Sequence, residues 1–334
     1  MPQILTFGEI MLRLNTPGYL RFSQADRFEI TFGGAEANVA VALAGLGESA
    51  GYVTRLPPND LADRALAELR GLGVDVSRVV RGGDRLGVYF VEQGVSQRPG
   101  KVIYDRAHSA LAEARPGDFD WDAIFAEGVQ WFHWSGITPA LSASAAATAA
   151  AACQAARRHG ASVSFDLNYR AKLWSCEQAG ATLAPLMQYV DLCITSPEEA
   201  RNVFGLDLPA ASAGFEEAAA RGLIERFGFK SVALTLRQSA AACSTDWGAM
   251  LYTGGVAWSS RRWQIEIVDR LGAGDSFTAG LIFALRRGDS PQQSIDFAVA
   301  ASTLKHTIHG DYNRISLEEV EALAAGENAG RVRR

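Results

Sequence analysis

The sequence predicts an α/β protein in which helices flank a mostly parallel central sheet. Short apolar runs alternate with helical stretches along most of its 334 residues, and strands separated by helices of this length form parallel sheets from βαβ units. Two segments break this alternation with β-prone residues and no helical period, so we also expect a small β excursion. The composition, 48% hydrophobic and 21% charged, is that of a globular protein.

The predicted elements of the first half follow from the spacing of apolar residues. Apolar residues that recur every three or four positions indicate a helix, and a short continuous apolar run indicates a buried strand. Glycines follow both helical stretches, as is typical of helix C-termini. The predicted elements are a strand at Ile4–Ile10, a helix through Val39, Leu43 and Leu46, a strand at Tyr52–Thr54, and a helix through Leu61, Ala65 and Leu69.

The second half repeats the pattern around an alanine-rich helix expected over Ser142–His159. In parallel sheets, ligands bind beyond the carboxyl ends of the strands. Asp166, Ser196 and Thr235 fall at such ends, so we expect the functional edge of the sheet there. The predicted strands are Val129–Ser135, Val163–Leu167, Leu192–Thr195 and Ser231–Thr235.

The two interrupting segments, at about 13–32 and 86–106, point to an antiparallel excursion from the main sheet. Each is too small to bury a core of its own, so we expect a lid over the site rather than an independent domain. The sequence therefore predicts one domain over 1–334 that carries this lid. The polar, basic tail at 326–334 is expected to fray.

Charge and composition exclude several classes of protein. Thirty-two Lys and Arg against 37 Asp and Glu give a net charge of -5, which argues against a nucleic-acid partner. The most continuous small-apolar run, Ala140–Ala152, is too short to span a membrane. The four cysteines lie far apart, so no disulfide framework or zinc site is expected. We expect a cytoplasmic protein with buried, reduced thiols.

The strongest local motif is the run Asp269–Phe277, DRLGAGDSF, followed by an apolar helical stretch. Two glycines before a helix let the backbone approach a ligand, and the N–H groups at a helix start attract anions. A carboxylate at Asp275 beside such an anion site suits the deprotonation of a hydroxyl as a phosphoryl group arrives. The alternative is that Asp275 only stabilises the helix dipole.

A second glycine pair leads into a helix at Gly33–Ala40, GGAEANVA, with Asn38 in the first turn. A tight turn with a helix cap explains this run as well as a binding site does.

Taken together, these motifs resemble the ribokinase-like (PfkB) carbohydrate kinases, in order and in spacing, beginning with Gly8-Glu9 after the first strand. The resemblance implies a central sheet with a β lid, and a homo-oligomer formed through that lid. It also implies ATP-dependent phosphorylation of a sugar hydroxyl, with Mg²⁺ carried by the nucleotide and a monovalent cation left open. Asp275 would be the catalytic base, and the backbone of Gly272, Ala273 and Gly274 the anion hole.

Within the family, the chain is most similar to 2-keto-3-deoxygluconate kinases, through the runs GVYF, Tyr104-Asp105-Arg106 and DLNYR. An arginine can bind a carboxylate through two hydrogen bonds. A neutral sugar would leave at least one of Arg106 and Arg170 unpaired in a closed site, and an unpaired charge in such a site is costly. The resemblance implies that the sugar acid is bound by Gly34, Asn38, Tyr89, Tyr104, Arg106 and Arg170, with its terminal hydroxyl facing Asp275.

The nucleotide side departs from the family pattern at two runs. The NxxE motif reads Ser196-Pro197-Glu198-Glu199, and the T-x-G-x-x-G loop reads Thr235–Ala240 without glycines. Glu199 would act on the metal through water, and Arg237 either contacts ATP phosphates or is a surface residue. The resemblance implies that the nucleotide is bound by Asn168, Arg170, Ser196, Thr235, Arg237, Gly272 and Gly274.

Three functions compete at this point. The first is phosphorylation of 2-keto-3-deoxygluconate to 2-keto-3-deoxy-6-phosphogluconate. The second is a kinase of the same fold that acts on a neutral sugar such as fructose or ribose, or on a nucleoside. The third is a sugar-sensing module without catalysis, which would not require a base at Asp275.

Overall fold

The computed structural model describes residues 2–208 and 214–326, without the side chains of 239 and 240. The tail expected at 326–334 lies outside the described residues after Gly326. The strands are β1 (Ile4–Phe7), β2 (Met11–Asn15), β3 (Glu29–Gly33), β4 (Ala50–Val53), β5 (Arg55–Leu56), β6 (Val80–Arg81), β7 (Gly87–Glu92), β8 (Lys101–Asp105), β9 (Trp131–Ser135), β10 (Ser162–Asp166), β11 (Leu192–Thr195), β12 (Ser231–Ala241), β13 (Ser244–Thr253), β14 (Val256–Ser259) and β15 (Trp263–Glu266).

Helices follow most strands of the main sheet. They are α1 (Ala35–Gly45), α2 (Asp60–Gly71), α3 (Trp121–Ala126), α4 (Ile137–Leu141), α5 (Ala143–Arg158), α6 (Cys176–Leu183), α7 (Pro197–Phe204), α8 (Phe215–Phe227), α9 (Ala273–Arg287), α10 (Pro291–Lys305) and α11 (Leu317–Ala324).

The main sheet confirms the predicted α/β class. Its strand order is β14-β13-β12-β11-β10-β9-β1-β4, with β15 also paired to β13. The six strands from β12 to β4 run parallel, and the three beyond β12 pair antiparallel. The carboxyl ends of the parallel strands therefore share one edge, where the sequence expects the site.

The first strand is shorter than predicted. It ends at Phe7, and the chain then leaves the main sheet to enter a second, smaller sheet at Met11. Gly8, Glu9 and Ile10 are buried between the two sheets, so the run stays buried across the break. A continuous buried run cannot show where one sheet ends and the next begins.

The smaller sheet has the strand order β3-β2-β7-β8 and comes from both interrupting segments. β2 pairs antiparallel with β3, and β7 with β8, as expected. The central pair, β2 and β7, is parallel, so the expectation of a wholly antiparallel excursion is wrong. The two segments come from distant parts of the chain, and a connection through the main sheet allows the parallel pairing.

Helices cover both faces of the main sheet. On one face, α5 packs through fully buried alanines and Cys153 against Phe132 and Phe165. On the other, Phe277 and Leu281 of α9 pack against Leu251 and Ile295. All four cysteines are free thiols. No helix in the described ranges is both long and apolar enough to cross a membrane.

Candidate active site

The start of α9 forms the centre of the candidate site. Gly272 is its N-cap, with φ of +80°, and a side chain there would place Cβ 2.0 Å from the carbonyl oxygen of Asp311. Glycine is therefore required by both conformation and space. Gly274 is exposed, and a Cβ there would meet no atom within 4 Å. The N–H groups of Gly274 and Asp275 precede the first helical hydrogen bonds and are open to an anion.

The N–H of Ala273 is less open than the sequence implies, because it donates to the carbonyl of Arg270 at 3.3 Å. The open donors at this helix start are therefore the N–H groups of Gly274 and Asp275.

Asp275 is half-buried in the first turn of α9 and accepts a hydrogen bond from Asn38 Nδ2 at 2.6 Å. Loss of solvent raises the pKa of Asp275 to about 6, and the neighbouring Asp311 acts in the same direction. Asn38, Arg170 and Lys305 oppose the rise. A carboxylate with a pKa near neutrality is suited to general base catalysis.

The start of α1 lies opposite. A Cβ at Gly34 would sit 1.9 Å from the carbonyl oxygen of Glu9, so the chain passes too closely for any side chain. Gly34 is the N-cap of α1, and its N–H donates to Asn38 Oδ1 at 3.3 Å. The turn-and-cap explanation of this motif is therefore correct for the glycine. Asn38 has a second contact, because its amide also reaches Asp275.

The predicted sugar-acid residues of the smaller sheet lie together. The rings of Tyr89 and Tyr104 stack with centroids 5.9 Å apart, and the Arg106 guanidinium lies 5.6 Å from the centroid of Tyr104. Arg106 is nonetheless already paired, since both Nε, at 2.8 Å, and Nη2 donate to Glu9 Oε2. Ser109 Oγ donates to the other oxygen of Glu9. A neutral sugar would therefore not leave Arg106 without a counter-charge, contrary to the idea that either arginine could be the unpaired cation.

Arg170 differs from Arg106. It is exposed, and no described residue forms an ion pair with it. It lies close enough to Asp275 and Glu199 to lower the pKa of both carboxyls. Its loop turns sharply, with Asn168 at φ of +40°, a left-handed conformation that Asn tolerates. Arg170 therefore differs from Arg106 in having no direct carboxylate partner among the described residues, although Asp166, Glu199 and Asp275 lie near it.

Two carboxyls lie beside Arg170 on the nucleotide side. Burial is the main cause that raises the pKa of Asp166, and Glu199 and Asp275 add to it. Burial also raises the pKa of Glu199, against the opposing effects of Arg170 and Arg237. A divalent cation such as Mg²⁺ would relieve the repulsion between these two neighbouring carboxyls and favour their ionised, metal-binding form. The described residues contain no cluster of three or more acidic, His or Cys side chains that could hold a metal alone.

Ser196 and Glu199 form a reciprocal cap of α7. Ser196 Oγ accepts from the N–H of Glu199 at 3.2 Å, and Glu199 Oε2 accepts from the N–H of Ser196 at 3.4 Å. This capping box orients Glu199 toward the edge of the sheet. Serine thus performs a structural task at the position where the family pattern has Asn.

The run from Thr235 to 240 is a strand and not a loop. It continues β12 past the end of β11, which pairs only as far as Leu234, while the pairing of β12 with β13 continues in regular register to Gln238. Without glycines the run stays extended. Thr235 Oγ1 donates to the carbonyl of Thr195 at 3.5 Å, and the Arg237 guanidinium stacks 5.5 Å from the Trp247 ring.

Several charged residues near the site were not singled out by the sequence analysis. Glu36 is buried in the first turn of α1, where loss of solvent raises its pKa to about 7. Arg13, Asp311 and Lys305 are buried behind the start of α9. The signal that could have found Arg13 and Lys305 is a charge inside a run that is otherwise buried, because such charges are rarely left unpaired.

This arrangement agrees with a comparison against known protein families. The pattern of the pfkB family of carbohydrate kinases matches residues 1–317. The chain belongs to this family. The pfkB assignment covers both the main sheet and the smaller one.

Individual pfkB relatives are similar over nearly the whole chain. A 2-dehydro-3-deoxygalactonokinase of Haloferax volcanii is 36% identical over 330 residues, 98% of each chain. A 2-dehydro-3-deoxygluconokinase of Thermoproteus tenax is 30% identical, over 97% of this chain and 94% of its own length. The crystal structure of a 2-dehydro-3-deoxygluconokinase from Thermotoga maritima has a TM-score of 0.95 and 46% identity, over 97% of this chain and 98% of that one.

Proposed function

We propose that this pfkB kinase transfers the γ-phosphoryl group of ATP to the C6 hydroxyl of 2-keto-3-deoxygluconate, also called 2-dehydro-3-deoxygluconate. The product is 2-keto-3-deoxy-6-phosphogluconate. The observation that carries the proposal is the Asp275 carboxylate, held by Asn38 beside the open N–H groups of α9. The names of the three relatives support a sugar acid as the substrate.

In the proposed reaction, Asp275 accepts the proton of the C6 hydroxyl while the hydroxyl oxygen bonds to the γ-phosphorus. The bond from that phosphorus to the bridging oxygen of ATP breaks, and ADP leaves with the electron pair. The N–H groups at the start of α9 stabilise the negative charge on the transferring group. The pKa of Asp275, about 6, leaves the base largely ionised at neutral pH.

The acid end of the sugar is proposed to lie between the smaller sheet and Arg170. The stacked rings of Tyr89 and Tyr104 offer a wall for the carbon chain. Since Glu9 already pairs with Arg106, the exposed Arg170 is the proposed partner of the substrate carboxylate. Gly34 and Asn38 bound the same space from α1.

The nucleotide is proposed to bind along the edge formed by Asn168, Ser196, Thr235 and Arg237. Asp166 and Glu199 would hold Mg²⁺ beside the phosphates, since their oxygens suit this cation. The bound metal would offset charge on the phosphates, and the protein residues of this edge orient them. Because ATP is the donor, we propose that the enzyme acts in the cytoplasm.

The smaller sheet is also proposed to join two copies of the chain. Ile30 and Ile103 are about half exposed, and Leu14 and Phe90 lie between them in register, so one apolar row crosses all four strands. A second copy would cover this row. In size-exclusion chromatography with light scattering, Ile103→Glu should yield monomers, whereas Val256→Glu, at an exposed apolar residue of β14, should leave the oligomer intact. A monomeric parent would contradict this part of the proposal.

An ADP-release assay with a panel of acceptors tests the substrate. We expect kcat/KM for 2-keto-3-deoxygluconate to exceed that for fructose. Arg170→Met should reduce the value for the acid by about ten- to a hundredfold, the worth of a charge-assisted hydrogen bond, and should change the value for fructose less. A parent enzyme that prefers fructose would make the neutral-sugar kinase the better assignment.

The C4 epimer, 2-keto-3-deoxygalactonate, is a second candidate substrate, because the Haloferax volcanii relative is named for it. Both epimers carry the same carboxylate and the same terminal hydroxyl, so the machinery described above serves either. The same assay with both epimers decides between them. A tenfold preference in kcat/KM identifies the substrate, whereas equal values indicate that no described side chain distinguishes the configuration at C4.

A further inference from the structure

The guanidinium of Arg13 is enclosed between the smaller sheet and the loop that leads into α9. The side chain, on β2, is fully buried. Its Nη1 donates to Asp311 Oδ1 at 2.5 Å, its Nη2 to Asp269 Oδ2 at 2.6 Å, and its Nε to Asn15 Oδ1 at 2.6 Å. A buried charge is stable only with such partners. Arg13 thus connects one strand of the smaller sheet with two carboxylates behind the catalytic loop.

Asp269 fixes the start of that loop. Its Oδ1 accepts from the N–H of Leu271 at 3.1 Å, and its Oδ2 accepts from the N–H of Gly310 at 3.1 Å as well as from Arg13. The loop therefore enters α9 along a path that Arg13 and Asp269 determine together.

Asp311 lies nearer to the base. Its carbonyl oxygen occupies the space that a side chain at Gly272 would need. Its Oδ2 accepts from Asn38 Nδ2 at 3.4 Å, and the same nitrogen donates to Asp275 at 2.6 Å. Arg13 is thus linked to Asp275 through one carboxylate and one amide.

The charges behind the loop cancel. Lys305 is fully buried and donates from Nζ to the carbonyl of Ile308 at 3.1 Å. Burial lowers the pKa of Lys305, and Asp269 and Asp311 oppose that effect. Two carboxylates and two cations make these four side chains neutral as long as Arg13 is present; the half-exposed His309 also reaches this group, with its Nδ1 3.9 Å from Asp269 Oδ2.

We propose that Arg13 is a positioning residue for phosphoryl transfer, which ties the smaller sheet to the α9 loop and cancels the charge of Asp311 behind Asp275. Because its side chain is fully buried, it acts through Asp311 and Asn38 rather than on the substrate or nucleotide directly. The proposal rests on the proposed role of Asp275 as the base. Loss of Arg13 leaves the negative charge of Asp311 without its main partner. Asp275 and the carboxyls beside it should then stay protonated to higher pH.

Several other charged or polar groups face Asp275, and Arg13→Gln leaves their chemical identity unchanged. They are Glu36 and Asn38 from α1, Asp166 and Arg170 from the end of β10, Lys305 from α10, and Asp311 itself. Removal of Arg13 and removal of the Asp311 charge therefore have opposite electrostatic effects on the same base.

The test is the pH dependence of kcat/KM with saturating MgATP for four proteins: the parent, Arg13→Gln, Asp311→Asn and the double variant. We expect the acid limb to move to higher pH in Arg13→Gln and to lower pH in Asp311→Asn, each by about one pH unit, as is typical of an unpaired neighbouring charge. The double variant should return to within about half a unit of the parent. An acid limb that stays in place while kcat falls would overturn the proposal, because it indicates a purely structural Arg13.

Arg98→Gln is the matched control. Arg98 is anchored to the same small sheet through Glu92 at 3.0 Å, with no described contact to the α9 loop, so its pH profile should equal that of the parent. If Arg13→Gln does not fold, the double variant still decides the matter: its acid limb should lie at higher pH than that of Asp311→Asn, and equal acid limbs overturn the proposal. Asp275→Asn distinguishes failure of the proposed base from failure of the proposed role of Arg13. Full turnover in Asp275→Asn would show that Asp275 is not the base. An inactive Asp275→Asn, together with unshifted pH profiles of the Arg13 and Asp311 variants, would contradict only the positioning role of Arg13.

Discussion

Gly34, at the start of α1, and Gly274, at the start of α9, face the same space, but the absence of a side chain has a different consequence at each. At the start of α1, Gly34 is pressed against the carbonyl of Glu9, and a methyl group there would overlap backbone. At the start of α9, Gly274 is exposed and faces empty space. The first glycine allows two chain segments to pack, and the second keeps an approach open. At the open start of α9, the carboxylate of Asp275 and the N–H groups of Gly274 and Asp275 lie beside this approach.

The largest effect that would sharpen this contrast is expected from Asp275→Asn. The amide keeps the shape of the side chain but cannot take the proton, so kcat should fall by about 10²–10⁴-fold, with sugar binding mostly retained. Steady-state kinetics and equilibrium binding measure the two quantities. Asp60→Asn, an exposed acid in the first turn of α2, should behave as the parent. Near-normal turnover in Asp275→Asn would show that Asp275 is not the catalytic base.

Gly274→Ala tests the open start of α9. A methyl group meets no protein atom, and alanine in a helix is more stable than glycine by about 0.5–1 kcal/mol, so the free energy of unfolding should rise. The same methyl group enters the space proposed for the transferring phosphoryl group, and kcat/KM for ATP should fall by about ten- to a hundredfold. Chemical denaturation and kinetics on one preparation give both values. Unchanged kinetics would place the phosphoryl group elsewhere.

Gly34→Ala tests the closed start of α1 and should behave in the reverse way. The overlap with the Glu9 carbonyl forces the backbone apart, at a cost of about 1–3 kcal/mol in unfolding free energy. A stability equal to that of the parent would show that this approach is not tight. The matched control is Gly117→Ala, because a Cβ at Gly117 would meet no atom within 4 Å and its φ is not positive. Gly128→Ala is unsuitable, because an alanine would be strained at its φ of +93°.

The smallest effect is expected in the smaller sheet. If Tyr89, Tyr104 and Arg106 close on the sugar acid, hydrogen exchange over 86–106 should slow when the substrate is added. Exchange over β14, far along the main sheet, supplies the internal reference. Equal exchange rates in β7 and β8 with and without saturating substrate would mean that the smaller sheet does not act as a lid.

The sequence was most informative where function depends on neighbouring residues. Gly272 to Asp275 lie within one loop, and their order alone indicated an anion site next to a base. The main parallel sheet was likewise predicted from local periodicity. Pairing across long separations was not: Glu9 neutralises Arg106 from 97 positions away, and Arg13 meets Asp311 across 298. Such contacts depend on where the smaller sheet lies, and its parallel β2–β7 pair has no local signal.

The most direct measurement is a structure of the enzyme with Mg²⁺, a non-hydrolysable ATP analogue and 2-keto-3-deoxygluconate. The account predicts that an oxygen of the γ-phosphoryl group accepts a hydrogen bond from the N–H of Gly274. It also predicts that the C6 hydroxyl lies within hydrogen-bond distance, about 2.6–3.2 Å, of an Asp275 oxygen. A γ-phosphoryl group seated at the Gly33–Gly34 turn of α1, or a sugar hydroxyl out of reach of Asp275, would contradict it.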